Sequence, residues 1–166
     1  MKERAWSLGG VPAEELFEMA AVVEQGGFDF YARLTSRSGD QRVKNELRYL
    51  RDDEAIHKSW FLSQVRARGN RPCGSLPPAL QKDLDREFLA PLEKALSSGA
   101  VTDIDEALRL GSELARKSIG LYKAMRKNVP PDQQTELDGI IAAEESHRQK
   151  VDLLRASVGS APTLAG

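Results

Sequence analysis

The chain has 166 residues, enough for one domain with a core of its own. Charged residues make up 30% of it and nearly cancel, to a net charge of −1. Lys and Arg are interleaved with Asp and Glu instead of forming a stripe, which argues against nucleic acid or an anionic membrane as a partner.

The single cysteine, Cys73, excludes an internal disulfide and any Cys-x-x-Cys motif, and reads as a free thiol in the Pro/Gly-rich stretch 70–75. Residues 1–10 contain no apolar h-region, and no apolar run approaches the ~20 residues of a membrane span. A cytoplasmic, reducing location is the expectation.

Four long segments carry helical periodicity. The first starts near Pro12, a residue favoured at a first helical turn, and is expected to end near Leu34, before the polar run 36–40. Asp40 then caps a second helix over 41–68. Prolines and glycines over 70–78 stop it. A shorter amphipathic piece follows, with Leu80, Leu84, Phe88, Leu92 and Ala95 on one face, ending near 97–99. Thr102 or Asp103 caps a third long helix reaching about Lys127. Pro130 and Pro131 precede a fourth, running to about Ser157. The expected organisation is one bundle over 1–158 and a flexible tail over 159–166. No segment alternates with period two, so no strand is expected.

The halves repeat. Tyr31, Glu54 and His57 recur as Tyr122, Glu144 and His147, at offsets of 91, 90 and 90 residues. Two helical hairpins joined by a long connection predict an all-α, ferritin-like four-helix bundle with one crossover containing a short extra helix.

The chain has two histidines, and each closes a Glu-x-x-His motif: Glu54-Ala55-Ile56-His57 and Glu144-Glu145-Ser146-His147. Residues three apart share a helix face, so each pair offers oxygen and nitrogen to one point. Both pairs replace core positions of an apolar stripe. Val43, Leu47 and Leu50 precede the first, with Phe61 and Val65 after it; Leu137 and Ile140 precede the second, with Val151 and Leu154 after it. Glu24 interrupts a third such stripe, formed by Phe17, Ala20, Gly27 or Phe28, and Tyr31. Core carboxylates cost several kcal/mol unless paired, protonated or metal-bound. The bland alternative is two salt-bridged pairs on solvated faces. The core register of all five residues favours metal ligation by Glu24, Glu54, His57, Glu144 and His147. Oxygen and imidazole ligands suit Fe, with Mn or Zn possible. Gly26 and Gly27 beside Glu24 allow either close approach at the site or a simple kink.

At these residues (24–31, 53–57, 118–122 and 144–147) the sequence resembles the rubrerythrin-like branch of the ferritin-like superfamily. The resemblance implies a carboxylate-bridged di-iron site that reacts with Fe(II), oxygen or peroxide, as a ferroxidase or peroxidase-type oxidoreductase. It makes Glu54 and Glu144 bridges, His57 and His147 terminal ligands, and Glu24 a chelator of the metal bound by His57. Two departures stand out. Ala115 occupies the repeat-mate position of Glu24, where the family has a Glu, so the second metal is expected to bind more weakly. Glu113 lies about 200° round the helix from the missing ligand and is a poor substitute. One cysteine cannot build a rubredoxin-like four-thiolate centre, so turnover would need an external electron donor. Tyr31 and Tyr122 either relay electrons or pack. A homodimer is expected, with Trp60 either an exposed contact or covered by the 80–95 helix. The competing functions are a non-catalytic carrier of one ion and a metal-free helical scaffold.

Overall fold

The computed structural model describes residues 6–69, 76–97 and 103–158. Cys73, Thr102 and the 159–166 tail lie outside them. The described residues form helices and connections, with no β-strand among them. The long helices are α1 (Ala13–Arg37), α2 (Gln41–Ala67), α5 (Ile104–Arg126) and α6 (Pro131–Val158). Between the hairpins lie α3 (Pro78–Leu84), a π-helical turn (Asp85–Leu89) and α4 (Ala90–Ser97).

Local signals set most of these boundaries. Asp40 accepts from the N–H groups of Arg42 and Val43 at 2.8 and 3.1 Å, and Asp103 from that of Glu106 at 2.7 Å. Each cap is worth about 1 kcal/mol. α1 outruns its expected end by three residues. The Thr35 and Ser36 hydroxyls donate to the carbonyls of Tyr31 and Arg33, both at 2.8 Å, so the polar residues satisfy themselves within the helix instead of ending it. The helix stops where Ser38 turns extended.

The middle segment is less regular than its sequence pattern. Leu84, Phe88 and Leu92 recur every four residues, a spacing that drifts about 40° per step on a regular α-helix. Under-winding through the π turn, where the Ala90 N–H reaches the Asp85 carbonyl, keeps all three buried. Lys117 of α5 donates to the Glu87 carbonyl of that turn at 2.8 Å.

α1 packs along α2, and α5 along α6. The middle segment crosses α1 at Gly26, where a Cβ would lie 3.0 Å from Leu89 Cδ2. The core is apolar at both ends. Phe17, Phe61, Leu47 and Leu50 are fully buried, as are Leu108, Met125, Leu137 and Val151. Trp60 is half-buried, its ring edge-on to Phe17 of α1 at 5.6 Å. It thus packs against the first helix. Tyr49, Ile56 and Leu153 are the large apolar side chains left exposed among the described residues. Among the described residues no helix is long and apolar enough to cross a membrane.

Candidate metal centre

Midway along the bundle the apolar layers give way to charge. α1 supplies Glu24, α2 supplies Glu54 and His57, and α6 supplies Glu144 and His147. Their exposures are 1, 5, 6, 2 and 2%, so the reading of solvated salt-bridged faces is overturned. The apolar stripe on either side of each pair fixes which way it faces.

Two groups of possible ligand atoms result, Glu24–His57–Glu144 and Glu54–Glu144–His147, each with its atoms within 4.8 Å of one another. Glu144 belongs to both. His57 Nδ1 lies 3.4 Å from Glu24 and 3.2 Å from Glu144; His147 Nδ1 lies 3.5 Å from Glu54 and 3.4 Å from Glu144. The two imidazole rings are 5.7 Å apart and nearly parallel.

These separations discriminate between a salt-bridge cluster and a ligand cage. Charge-assisted N–H···O bonds settle at about 2.7–2.9 Å. Two ligands each about 2.1 Å from a shared ion, at 90–110° to each other, lie about 3.0–3.4 Å apart. Three of the four contacts fall in the second range, and the His147–Glu54 contact at 3.5 Å lies just beyond it. Both Nδ1 atoms, Glu24 Oε2 and Glu144 Oε1 are buried yet complete no hydrogen bond. Buried polar atoms are rarely left so, and their distribution over the two triads, with Glu144 in both, fits cations held between them.

Protons balance the charges in the metal-free cluster. Burial lowers the pKa of each histidine. Contact with Glu144 and Glu24 outweighs this and raises His57 to about 10; contact with Glu144 and Asp53 raises His147 to about 9. Burial, and next the Glu144 charge, raise Glu24 and Glu54. Glu144 is lowered, because its two histidine neighbours overcome the burial that would raise it. A cation would therefore enter by displacing protons from both imidazoles.

Several supporting contacts are specific. The Tyr122 hydroxyl donates to Glu24 Oε1. Tyr31 is equally buried, and its hydroxyl lies against Gly111 of α5. Burial chiefly raises both phenols well above their usual value, with the nearby glutamates adding to it. Gly27 resolves in favour of close approach: a Cβ there would lie 2.8 Å from Glu54 Cδ, and α1 continues unbroken through it.

Ala115 is buried and offers no ligand, as expected. Ser118 donates back to the Leu114 carbonyl at 3.0 Å. Glu113 is turned to the surface, where it accepts from Arg109 at 2.9 Å.

Sequence reasoning missed the part played by Asp53. Its Oδ2 is 2.6 Å from His147 Nε2 and 3.8 Å from His57 Nε2, so one carboxylate holds the outer nitrogen of the histidine on the facing helix. The available signal was its position beside Glu54 and four residues before His57, which turns it toward α6. Its repeat-mate is Ala143, so the second half has no equivalent.

No protein-family model matches the chain, and no curated protein does. A solved structure does: a Thermotoga maritima protein described as a ferritin-like diiron-carboxylate protein. It is 20% identical with a TM-score of 0.64, and the match covers 89% of this chain and 96% of that one. The fold is ferritin-like. The buried Glu/His groups suit metal binding at the place in such a bundle where four helices face one another.

Proposed function

We propose that this chain is a carboxylate-bridged non-haem di-iron protein of the rubrerythrin-like kind, an oxidoreductase acting on Fe(II), oxygen or peroxide. The observation that carries the proposal is the pair of overlapping buried triads sharing Glu144. Glu24, His57 and Glu144 would hold one ion, and Glu54, Glu144 and His147 the other, with Glu54 as a second bridge. Iron bound there would supply one-electron redox chemistry at open coordination positions.

The remaining work belongs to the protein. Tyr122 fixes one oxygen of Glu24, leaving the other for the ion. Asp53 fixes His147 by its outer nitrogen, aiming Nδ1 inward. The apolar layers of Phe61 and Tyr122 above and Leu47 and Leu50 below keep bulk water from the cluster. Tyr31 and Tyr122 would either relay electrons or simply pack beside it. Electrons would come from an external donor. A homodimer would draw on the outward stripe of α2, where Tyr49 and Ile56 lie exposed.

Ala115 favours a second reading, a carrier holding one ion tightly. Anaerobic titration of metal-free protein with Fe(II), followed by exposure to oxygen in an electrode cell, separates them. Two equivalents, the second weaker, followed by oxygen uptake support the oxidoreductase. One equivalent without uptake supports the carrier, and no binding overturns both.

A further inference from the structure

Tyr49, Ile56 and Leu153, the large apolar side chains left exposed among the described residues, all lie on one side of the bundle. Tyr49 and Ile56 stand on the outward face of α2, and Leu153 on that of α6 beside it, at 54, 64 and 72% exposure. Single exposed apolar residues need no explanation, so what surrounds these decides. On α6, Gly139, Ala142, Ser146, Gln149, Leu153 and Ala156 are all exposed and return at alternating steps of three and four. None of the six is charged, in a chain where 30% of residues are. A solvated helix face is normally polar and charged; an uncharged stripe at heptad spacing is a seam for another helix.

Bulk and hollow alternate across this face. At the repeat offset of 90 residues, Tyr49 and Ile56 of α2 match Gly139 and Ser146 of α6, and Leu153 of α6 matches Ser63 of α2. A Cβ on Gly139 would meet nothing within 4 Å. α2 and α6 run antiparallel, with Glu46 bonded to Lys150, Asp53 to His147 and Arg68 to Gln133, which fixes the level of each residue along the seam. A groove of about 410 Å³ opens along it, with Arg42 and Glu46 on one bank and Ser146, Gln149 and Leu153 on the other.

A second copy closes over such a face by a twofold axis lying in it. An axis across the helices sets α2 on α2 and α6 on α6, bulk against bulk and hollow against hollow. An axis along the helices sets α2 of each copy antiparallel on α6 of the other, with every residue at its own level. Ile56 then meets Ala142 and Ser146, and Tyr49 meets the groove. Charge agrees. Arg48 falls level with Asp152, whose own pair with Arg148 is loose at 3.6 Å, and Arg66 falls beside Glu136. Arg48, Arg66 and Glu136 are exposed and make no ion pair among the described residues. Asp52 faces Ser146 and Gln149, both able to donate. Resting on the homodimer reading above, we propose that two copies pair through this isologous contact of α2 with α6, Ile56 of each seated between Ala142 and Ser146 of the other.

The test is sedimentation equilibrium of the whole chain and its variants, with circular dichroism as the check on folding. The wild type should sediment at twice the chain mass of 18.3 kDa. Ala142→Leu fills the hollow with a residue that helices favour, and Ile56→Glu puts a charge on the knob. Each should weaken the dimer at least about tenfold. Arg48→Glu should weaken it about three- to tenfold, and Arg48→Glu combined with Asp152→Arg should recover it. Dissociation by Ile56→Glu with none by Ala142→Leu means that α2 meets another surface, which overturns the proposal and spares the homodimer. A dimer that survives both variants overturns it too. Loss of folding in either leaves the charge exchange to decide, and no recovery there overturns the contact. A monomeric wild type overturns the homodimer reading itself and leaves the metal centre untouched.

Discussion

Gly27 and Glu54 share one volume: a Cβ on Gly27 would lie 2.8 Å from the carboxyl carbon of Glu54. The helix that carries Gly27 accepts a residue about 1 kcal/mol worse than Ala at that position. What the glycine permits is a carboxylate pressed against the α1 backbone, one turn from Glu24.

Gly27→Ala therefore sets helix propensity against ligand placement. The obstructing group is the flexible end of Glu54, so the side chain should move and the fold should survive. Helicity should be unchanged and the melting temperature should shift by only a few degrees. Fe(II) affinity should fall at least about tenfold, the scale on which disturbing a ligand's support acts. Gly26→Ala, which presses on Leu89 instead, should leave metal affinity unchanged. Equal losses in the two variants would remove the special role of Gly27.

Glu144 differs from the other proposed ligands because it belongs to both triads. Glu144→Ala should abolish both equivalents, whereas His57→Ala and His147→Ala should each remove one. Metal at a hundredfold excess over its dissociation constant stabilises a fold by about 2.7 kcal/mol. For a chain of this size that raises the melting temperature by about 5–10 °C. The rise should appear in the wild type on adding Fe(II), vanish with chelator, and be absent in Glu144→Ala. A full rise in that variant would place the ions elsewhere.

The metal-free protein should lose stability as pH rises. His57 keeps its proton to about 10 and His147 to about 9 in the folded chain, against about 6.5 when unfolded. Between these limits the folded state binds more protons than the unfolded one, so stability is full below about pH 6.5 and declines above it. The raised Glu24 and Glu54 act in the same direction from a lower starting pH. Metal binding should show the reverse trend, tightening with pH, because it displaces those protons. Melting curves of wild type minus His57→Gln/His147→Gln, from pH 6 to 10, isolate the effect from other titrations. A flat difference would mean the imidazoles are neutral in the folded protein.

Much of this was legible in the sequence for a physical reason: helical periodicity and core burial are the same constraint. The Glu-x-x-His pairs sit in register with Val43, Leu47, Phe61 and Val65, so their burial follows from the stripe. Asp40 and Asp103 announce helix starts through a bond made within three residues. The π turn was not legible, because it depends on how Leu84, Phe88 and Leu92 meet α1 across the bundle. Asp53 was hidden for a similar reason. It is a charged residue at 24% side-chain exposure on a charged helix, and its partner lies 94 positions away. Ala115 could be read as an absent ligand, but the approach of the Tyr31 hydroxyl to Gly111 required coordinates.

Asp53 gives the last prediction, and it tests the asymmetry between the two triads. The carboxylate is 2.6 Å from His147 and 3.8 Å from His57, so it supports the second triad's histidine and scarcely touches the first's. On the proposed reading, in which Glu54 and Glu144 both bridge, the second triad has only His147 of its own, whereas the first has Glu24 and His57. Asp53→Asn keeps the shape and removes the charge that holds His147 in the tautomer with Nδ1 free. The second Fe(II) equivalent should weaken by about 10–100-fold, the usual effect of removing such a partner. The first should change by less than about threefold on the same scale. Calorimetric titration resolving both equivalents gives the answer. Equal weakening of both would mean that Asp53 acts through the overall charge of the cluster, whereas a selective loss would show that one hydrogen bond sets the order in which the two positions fill.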